Sequence, residues 1–220
     1  MILVIMGAPG AGKGTQADRI VAGKGFTKLS TGDVFRKHIR EKTPLGMKVG
    51  ELIAAGDLVD DVTTFDLVKA ELNDLGKGET VILDGYPRNP NQAEILKKHM
   101  EEHKIPLLGV LYLDVERQVV LERISNRRVC KGCGATYHLE YKAPTKEGVC
   151  DACGAKVYQR QDDKEENVKH RLDVYRDETE PLLDFFKNSG RLQKIDGGES
   201  LDIVEKNISL AISELEKSIA

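Results

Sequence analysis

No apolar run in this 220-residue chain approaches the roughly 20 residues that a transmembrane helix needs, so no membrane association is expected. The opening MILVIMGAPG has about six apolar residues and no positively charged lead, which fits neither a secretory signal nor a span. An excess of one charge is lacking too, since 33 Lys and Arg stand against 36 Asp and Glu for a net −3. That balance argues against bulk attraction to nucleic acid or an acidic membrane. Any cationic site must be local, built from a few converging Arg and Lys side chains. Fold-scale repeats and low-complexity tracts are absent, and the single local symmetry is a Cys-x-x-Cys-Gly-Ala unit that occurs twice. Cysteine is scarce, at four residues. Without an export signal the cytosol is the expected compartment, where four cysteines suggest thiolates rather than disulfides. No sustained heptads or large apolar stripe advertise a partner, and a monomer is expected.

What is present describes one substantial α/β domain with insertions. The composition, 40% apolar and 31% charged, is that of an ordinary globular protein. Short apolar runs at 2–6, 27–29, 81–83, 108–113 and 191–195 read as strands. Between them, residues 13–23, 61–73, 91–101, 115–126 and 200–218 carry apolar spacing near 3.6 and read as helices. This alternation predicts a five-stranded parallel sheet covered on both faces, with its ligand site at the carboxyl ends of the strands. Two stretches interrupt it. Residues 30–59 hold two helical pieces with breakers at Pro44, Gly46 and Gly56. Residues 128–160 hold all four cysteines and too little apolar sequence for a core. The run Asp162-Asp163-Lys164-Glu165-Glu166 is expected to place acids in the first turn of the following helix, where the macrodipole favours them, and Pro181 is expected to start a further helical segment.

After the first strand comes Gly7-Ala-Pro-Gly10-Ala11-Gly12-Lys13-Gly14-Thr15, opening a helix. That is the setting of a phosphate-binding loop: glycines let successive N–H groups turn inward, the helix N-terminus adds partial positive charge, and Lys13 can bridge a transferring phosphate. The motif departs from GxxxxGK[ST] because Gly14 follows the lysine and the hydroxyl arrives at Thr15. No G-x-G-x-x-G is present here, which removes a dinucleotide-binding reading.

The four cysteines form a second motif. Cys130 and Cys133 are separated from Cys150 and Cys153 by sixteen residues, and each pair is followed by Gly, at Gly134 and Gly154. This is the spacing of a structural zinc site, and four sulfur ligands leave no open position for catalysis. Free thiols, two disulfides or iron in a tetrahedral thiolate site remain alternatives. His138, between the pairs, reads as a strand residue rather than a ligand.

GxPGxGKGT resembles the loop of nucleoside monophosphate kinases, and of adenylate kinases in particular. The resemblance continues through LSTGDVFR at 29–36, AGDLVDD at 55–61, LDGYPR at 83–88, ERISNRR at 122–128, RQDDKEENVKHRL at 160–172 and KIDG at 194–197. It implies a P-loop three-layer core over 1–29, 60–126 and 164–220, an AMP-binding insertion at 30–59 and a zinc-bearing lid at 127–163. The implied reaction is phosphoryl transfer from Mg²⁺-bound ATP to AMP, giving two ADP. ATP and AMP together bring roughly five or six negative charges, so such a site must supply several cations and a metal.

The resemblance implies the following roles. Gly10, Ala11, Gly12, Lys13, Gly14 and Thr15 would hold the ATP phosphates, and Asp84 would hold Mg²⁺ through water. Arg123 would lie against the ATP adenine and, with Arg127, help bind ATP. Thr136, Tyr137 and the backbone at Glu199 would complete that site. Arg123 and Arg127, at i and i+4, are expected on one face of the helix after the fourth strand. Thr31, Arg36, Gly85, Tyr86, Pro87, Arg88 and Gln92 would form the AMP pocket, lined by backbone around Asp57, Leu58 and Val59. A glutamine can offer both donor and acceptor to an adenine edge. Arg160 and Arg171 would come in as the lid closes and stabilise the transferring group. Asn89 stands where many relatives have Thr. Two other functions remain open: a kinase for another nucleoside monophosphate, and a zinc-ribbon nucleic-acid binder. Against the binder, the ribbon mixes Lys142, Lys146 and Lys156 with Glu140, Glu147 and Asp151 and lacks a basic stripe.

Overall fold

A computed structural model describes residues 1–73 and 78–219; residues 74–77 and 220, inside the expected core ranges, lie outside the described residues. The apolar runs become five parallel strands: β1 (Ile2–Gly7), β2 (Thr27–Ser30), β3 (Val81–Asp84), β4 (Leu107–Asp114) and β8 (Leu192–Asp196). Their spatial order is β2-β3-β1-β4-β8. Because side chains alternate along a strand, β1 feeds two cores at once. Leu3 and Ile5 pack with Ile82, Leu111 and Leu113 against α1 (Lys13–Lys24) and α9 (Leu201–Lys217), through Ala17, Ile20, Ile208 and Leu215. Ile2, Val4 and Met6 face the other way, against Val68 of α4 (Asp61–Asn73), Leu96 and Met100 of α5 (Pro90–His103), and Leu182 and Phe186 of α8 (Leu182–Lys187). Each such buried aliphatic side chain contributes about 1.5–3 kcal/mol. Registration of Ile5 against Asp84 on one side and of Gly7 against Leu113 on the other aligns the carboxyl ends of β1, β3 and β4 along one edge. Among the described residues, no helix is long and apolar enough to cross a membrane.

Between β2 and α4 stand α2 (Thr31–Arg40) and α3 (Pro44–Ala55), held by their own small core of Phe35, Val49, Val59 and Leu67. Ser30 caps α2 by accepting from the Asp33 N–H at 3.4 Å, and Thr43 caps α3 by accepting from the Gly46 N–H at 3.1 Å. Pro44 and Gly56 punctuate this stretch as expected, Pro44 opening α3 and Gly56 closing it in the left-handed region at φ 95°. Gly46 does not break the chain. It is buried inside α3, where the helix crosses so close to the backbone of His38 and Ile39 that a Cβ would stand 2.6 Å from the Ile39 nitrogen.

After α6 (Arg117–Asn126) the chain leaves the parallel sheet for a small antiparallel one, β5 (Arg127–Cys130), β6 (Thr136–His138) and β7 (Val157–Tyr158), ordered β6-β5-β7. One expectation needs correction here. Arg127 is not on the helix with Arg123; it is the first residue of β5, so the two side chains diverge. Of the acidic run, Asp162 and Asp163 precede the helix. They lie in a 3₁₀ turn, Gln161–Asp163, and the acids in the first turn of α7 (Glu165–Val174) are Glu165 and Glu166. A five-residue π turn, Tyr175–Thr179, follows α7, and Pro181 leads into α8.

Candidate functional site

The loop from β1 to α1 is shaped by glycines. Gly10 and Gly12 adopt φ of 85° and 96°, and a Cβ on Gly10 would lie 3.1 Å from the carbonyl oxygen of Val120. The loop thus packs against α6 on its way into α1, whose first-turn N–H groups lack helical partners by construction. Lys13 Nζ donates to the carbonyls of Gly7 at 2.7 Å and Ala8 at 2.9 Å. Burial, with the neighbouring Arg88, Arg171 and Arg127 adding to it and Asp84 opposing, pushes the Lys13 ammonium down to about 8. Asp84, buried at the end of β3, faces the same point: a Cβ on Gly14 would sit 3.5 Å from its Oδ2.

Beside this loop, Thr31, Arg36, Gly85, Arg88 and Gln92 line a small polar pocket that Asp57, Leu58 and Val59 close from the insertion side. Gly85, at φ 80°, holds the centre, because a Cβ there would lie 3.0 Å from Arg88 Nη2 and 3.2 Å from Thr31 Oγ1. Its carbonyl accepts from Thr31 Oγ1 at 2.9 Å and from Arg88 Nε at 2.8 Å. Burial and the nearby Arg171 press Arg88 down to about 10. Gln92 accepts from the Arg88 N–H at 2.8 Å and donates to Asp61 at 2.9 Å. These two bonds use one lone pair and one N–H, leaving one of each for a ligand. Tyr86 is almost fully buried, its hydroxyl donating to the Gln92 carbonyl at 3.1 Å, and Pro87 follows it through a cis peptide bond.

The remaining guanidinium groups converge from the antiparallel sheet and α7. Asp163, with a fully buried side chain, takes both Arg127 Nε at 2.8 Å and Arg127 Nη2, and also Arg171 Nη1 at 2.9 Å. Arg171 Nη1 reaches Asp162 Oδ2 at 3.0 Å as well. Arg36 pairs with Asp33 at 2.6 Å. Arg160 is different: its Nε is buried without a hydrogen-bond partner, and burial together with Arg36 and Arg127 pushes it down to about 9. Lys13, Arg36, Arg88, Arg127, Arg160 and Arg171 gather with Asp33, Asp84, Asp162 and Asp163 along one crevice. Among the described residues Lys13, Arg88 and Arg160 form no ion pair, and burial pushes each of them down. Such a site favours a polyanion, since each approaching negative charge recovers desolvation energy already spent. Arg123 stands apart, donating to the carbonyls of Gly197 at 2.8 Å and Gly198 at 3.4 Å, with exposed Glu199 next in the chain.

The four cysteine sulfurs lie within 4.8 Å of one another. Cys130 Sγ is 3.4 Å from Cys153 Sγ, and Cys133 Sγ is 3.6 Å from Cys150 Sγ. Both separations are far beyond a disulfide and close to the edge of a tetrahedron with metal–sulfur bonds of about 2.3 Å. N–H groups of Gly132 and Cys133 point at Cys130 Sγ from 3.3 and 3.5 Å. Tyr137, buried in β6, donates its hydroxyl to Cys150 Sγ at 3.2 Å and accepts the Asp151 N–H at 2.8 Å. That hydroxyl, more than the opposing burial, brings the Cys150 thiol down to about 6. The donor set fits a soft divalent metal held as tetrathiolate.

Comparison with known proteins decides the family. A family model described as "Adenylate kinase" matches residues 5–191. The chain is 47% identical over 216 residues to the adenylate kinase of Carboxydothermus hydrogenoformans, covering 97% of this chain and all of that one. It is 46% identical over 210 residues to that of a Geobacillus species (94% and 96% covered), and 42% identical over 217 residues to that of Bacillus subtilis (99% and 100%). The chain belongs to the adenylate kinase family.

Of the residues expected at the site, the structure brings Arg36, Arg88 and Arg171 to the polar pocket, Asp84 beside Gly14 of the glycine loop, and Arg160 near Arg36 and Arg127. Thr136 is exposed on β6, whereas the Tyr137 ring packs inside the ribbon against the cysteines. Three acids went unforeseen as site residues. Asp162 and Asp163 neutralise the arginines, and Asp61 accepts from Asn89 at 2.9 Å, Asn91 at 2.6 Å and Gln92 at 2.9 Å. Burial raises the Asp61 carboxyl, but these three amides outweigh it and hold it low. Asn89 caps α5 by accepting from the Gln92 N–H at 2.8 Å. A groove of about 530 Å³ between α5 and α8 lies elsewhere, with Leu96, Met100, Phe185 and Phe186 among its mostly apolar walls.

Proposed function

We propose that this adenylate kinase transfers the terminal phosphoryl group of Mg²⁺-bound ATP directly to AMP, giving two ADP, in the crevice between the glycine loop and the Gly85 pocket. The observation that carries this reading is the set of buried cations without an ion-pair partner, Lys13, Arg88 and Arg160, gathered around the glycine loop and the Gly85 pocket. Such a reaction needs positioning and charge neutralisation far more than a general base.

In this reading the backbone of residues 10–15 cradles the ATP phosphates. On meeting phosphate, Lys13 Nζ exchanges the Gly7 and Ala8 carbonyls for the transferring group. Asp84 is the group to hold the magnesium that accompanies ATP, which supplies charge neutralisation. Arg123, with the backbone at Glu199, Thr136 and Tyr137, borders the donor base. Arg36 and Arg88 take the AMP phosphate; Thr31, Tyr86, Pro87 and the backbone of 57–59 shape its pocket; and the free N–H and lone pair of Gln92 read the adenine edge. Arg127, Arg160 and Arg171 neutralise charge as it spreads over the transferring oxygens.

The same reading divides the chain into a core (1–29, 60–126, 164–220), an AMP-binding insertion (30–59) and a lid (127–163). Zinc is the proposed metal of Cys130, Cys133, Cys150 and Cys153, where it would make the ribbon a rigid flap that excludes water. The test is ADP formation from Mg·ATP with AMP, GMP, CMP or UMP offered separately, beside a control without acceptor. Activity with AMP alone is expected. Preference for another monophosphate would overturn the acceptor assignment, and no transfer at all, joined with salt-dependent nucleic-acid binding, would overturn the kinase reading.

A further inference from the structure

The face of α7 that meets the insertion carries a device that phosphate chemistry does not require. Asn167 Nδ2 donates to two carbonyls at once: Ala54 at 3.1 Å, in the last turn of α3, and Gln161 at 3.0 Å, in the 3₁₀ turn that returns the chain from the antiparallel ribbon. One helical turn on, His170 Nε2 lies 2.6 Å from Asp57 Oδ1, next to the pocket-lining Leu58 and Val59. Between them Gly56 makes room, since a Cβ there would lie 3.2 Å from Arg171 Cδ. The same Arg171 donates to the Asp162 carbonyl at 2.9 Å. A single amide therefore ties the edge of the acceptor pocket to the root of the ribbon, across 113 residues of chain.

We infer that Asn167, supported by His170, is a positioning residue that couples the acceptor-side loop 56–59 to the return turn of the lid, so that each nucleotide raises the affinity for the other. The inference rests on the kinase reading above. Its physical basis is geometric. Residues 54–57 and 161–163 belong to two different insertions, and among the described residues Asn167 is the one side chain that bonds to the backbones of both, with His170 on Asp57 and Arg171 on Asp162 beside it. Carbonyls held by a rigid helix move together, and a binding event that orders one lowers the cost of ordering the other. By linkage the effect is reciprocal.

The test compares the wild-type protein with Asn167→Leu, which keeps similar bulk and favours the helix but removes both donors, and with His170→Leu. AMP dissociation constants are measured by calorimetry with and without a saturating, magnesium-bound, non-hydrolysable ATP analogue; the analogue's own affinity is measured with and without AMP. The expected result is that wild-type AMP binding tightens with the analogue, and that Asn167→Leu loses roughly 3- to 10-fold of that gain, by the usual worth of a hydrogen bond. The loss should be equal in the reciprocal direction, with AMP affinity alone changing little. His170→Leu should show a smaller loss of the same kind, and it serves as the second variant should Asn167→Leu fail to fold. A wild-type protein without coupling, or variants that retain it in full, would overturn the inference. Wild-type protein that fails to turn over ATP and AMP would instead strike at the kinase reading, which the turnover assay registers separately.

Discussion

Replacing Asp163 by Asn tests whether the arginine cluster is held together by charge. The side chain is fully buried and takes three guanidinium donors, two from Arg127 and one from Arg171. Asn keeps the shape and one acceptor oxygen but removes the charge, leaving two buried guanidinium groups without it. Breaking a buried pair from one side costs about 3–5 kcal/mol. For a chain of this length each kcal/mol moves the midpoint by about 2–4 °C, so the nucleotide-free variant should melt about 6–20 °C lower. The deficit also has a pH signature. Burial raises the Asp163 carboxyl, but Arg127 and then Arg171 and Arg160 outweigh it, and the folded value lies below the ordinary 3.8. A depressed carboxyl contributes its stability above the unfolded value and loses it as pH falls through the folded one. The gap between wild type and variant should therefore be full at pH 6–8 and shrink below pH about 4. A polyanionic nucleotide supplies some of the missing negative charge, so ligand-induced stabilisation should be larger in the variant. Calorimetric melts with and without ATP measure both effects. A shift under about 2 °C at pH 7, or one independent of nucleotide, would refute the view that Asp163 is the counter-charge of this cluster.

Lys13→Met should cut turnover by at least about a hundredfold while moving the melting temperature by only a few degrees, because its present partners are loop carbonyls; near-normal turnover would exclude its assigned role. With Lys13 pushed down to about 8 before phosphate arrives, and binding requiring its charged form, ATP affinity should be level below pH 8 and fall by up to about tenfold per pH unit above it; a flat calorimetric titration through pH 9.5 would contradict this. Tyr137→Phe removes the hydroxyl from Cys150 and should weaken metal retention against a chelator by about 10–100-fold; unchanged release would deny the hydroxyl a share in the site. Cys150→Ser, or metal removal, should loosen the ribbon and lower its melting point more than that of the parallel-sheet core. Elemental analysis of fresh protein without stoichiometric zinc or iron would count against the tetrathiolate.

The five parallel strands and the helices between them were legible because their cause is local. The continuous apolar run of Ile2–Met6, buried on both faces, and the 3.6 spacing of residues 201–217 are patterns set within a few residues of chain. The glycine loop was legible for the same reason, since Gly10 and Gly12 need positive φ whatever surrounds them. Where reading by spacing failed, packing had intervened. Gly46 looked like a breaker and proved to be the point where α3 crosses α2. Arg127 looked helical with Arg123, but the chain turns into β5 at that residue.

By itself, then, the chain's sequence determined the order of its elements, the phosphate loop, the four-cysteine ribbon and a stock of arginines, because each depends on neighbours within a few residues or on a fixed spacing. Only the tertiary structure decided which charges meet. Asp163 finds Arg127 across 36 residues, Asp61 finds Gln92 across 31, and Asn167 finds Ala54 across 113. Such pairs carry no periodic signature. An acid at the start of a helix reads as a solvated cap until folding buries it beside a guanidinium. From then on the low dielectric lets that one partner outweigh every other influence on its charge.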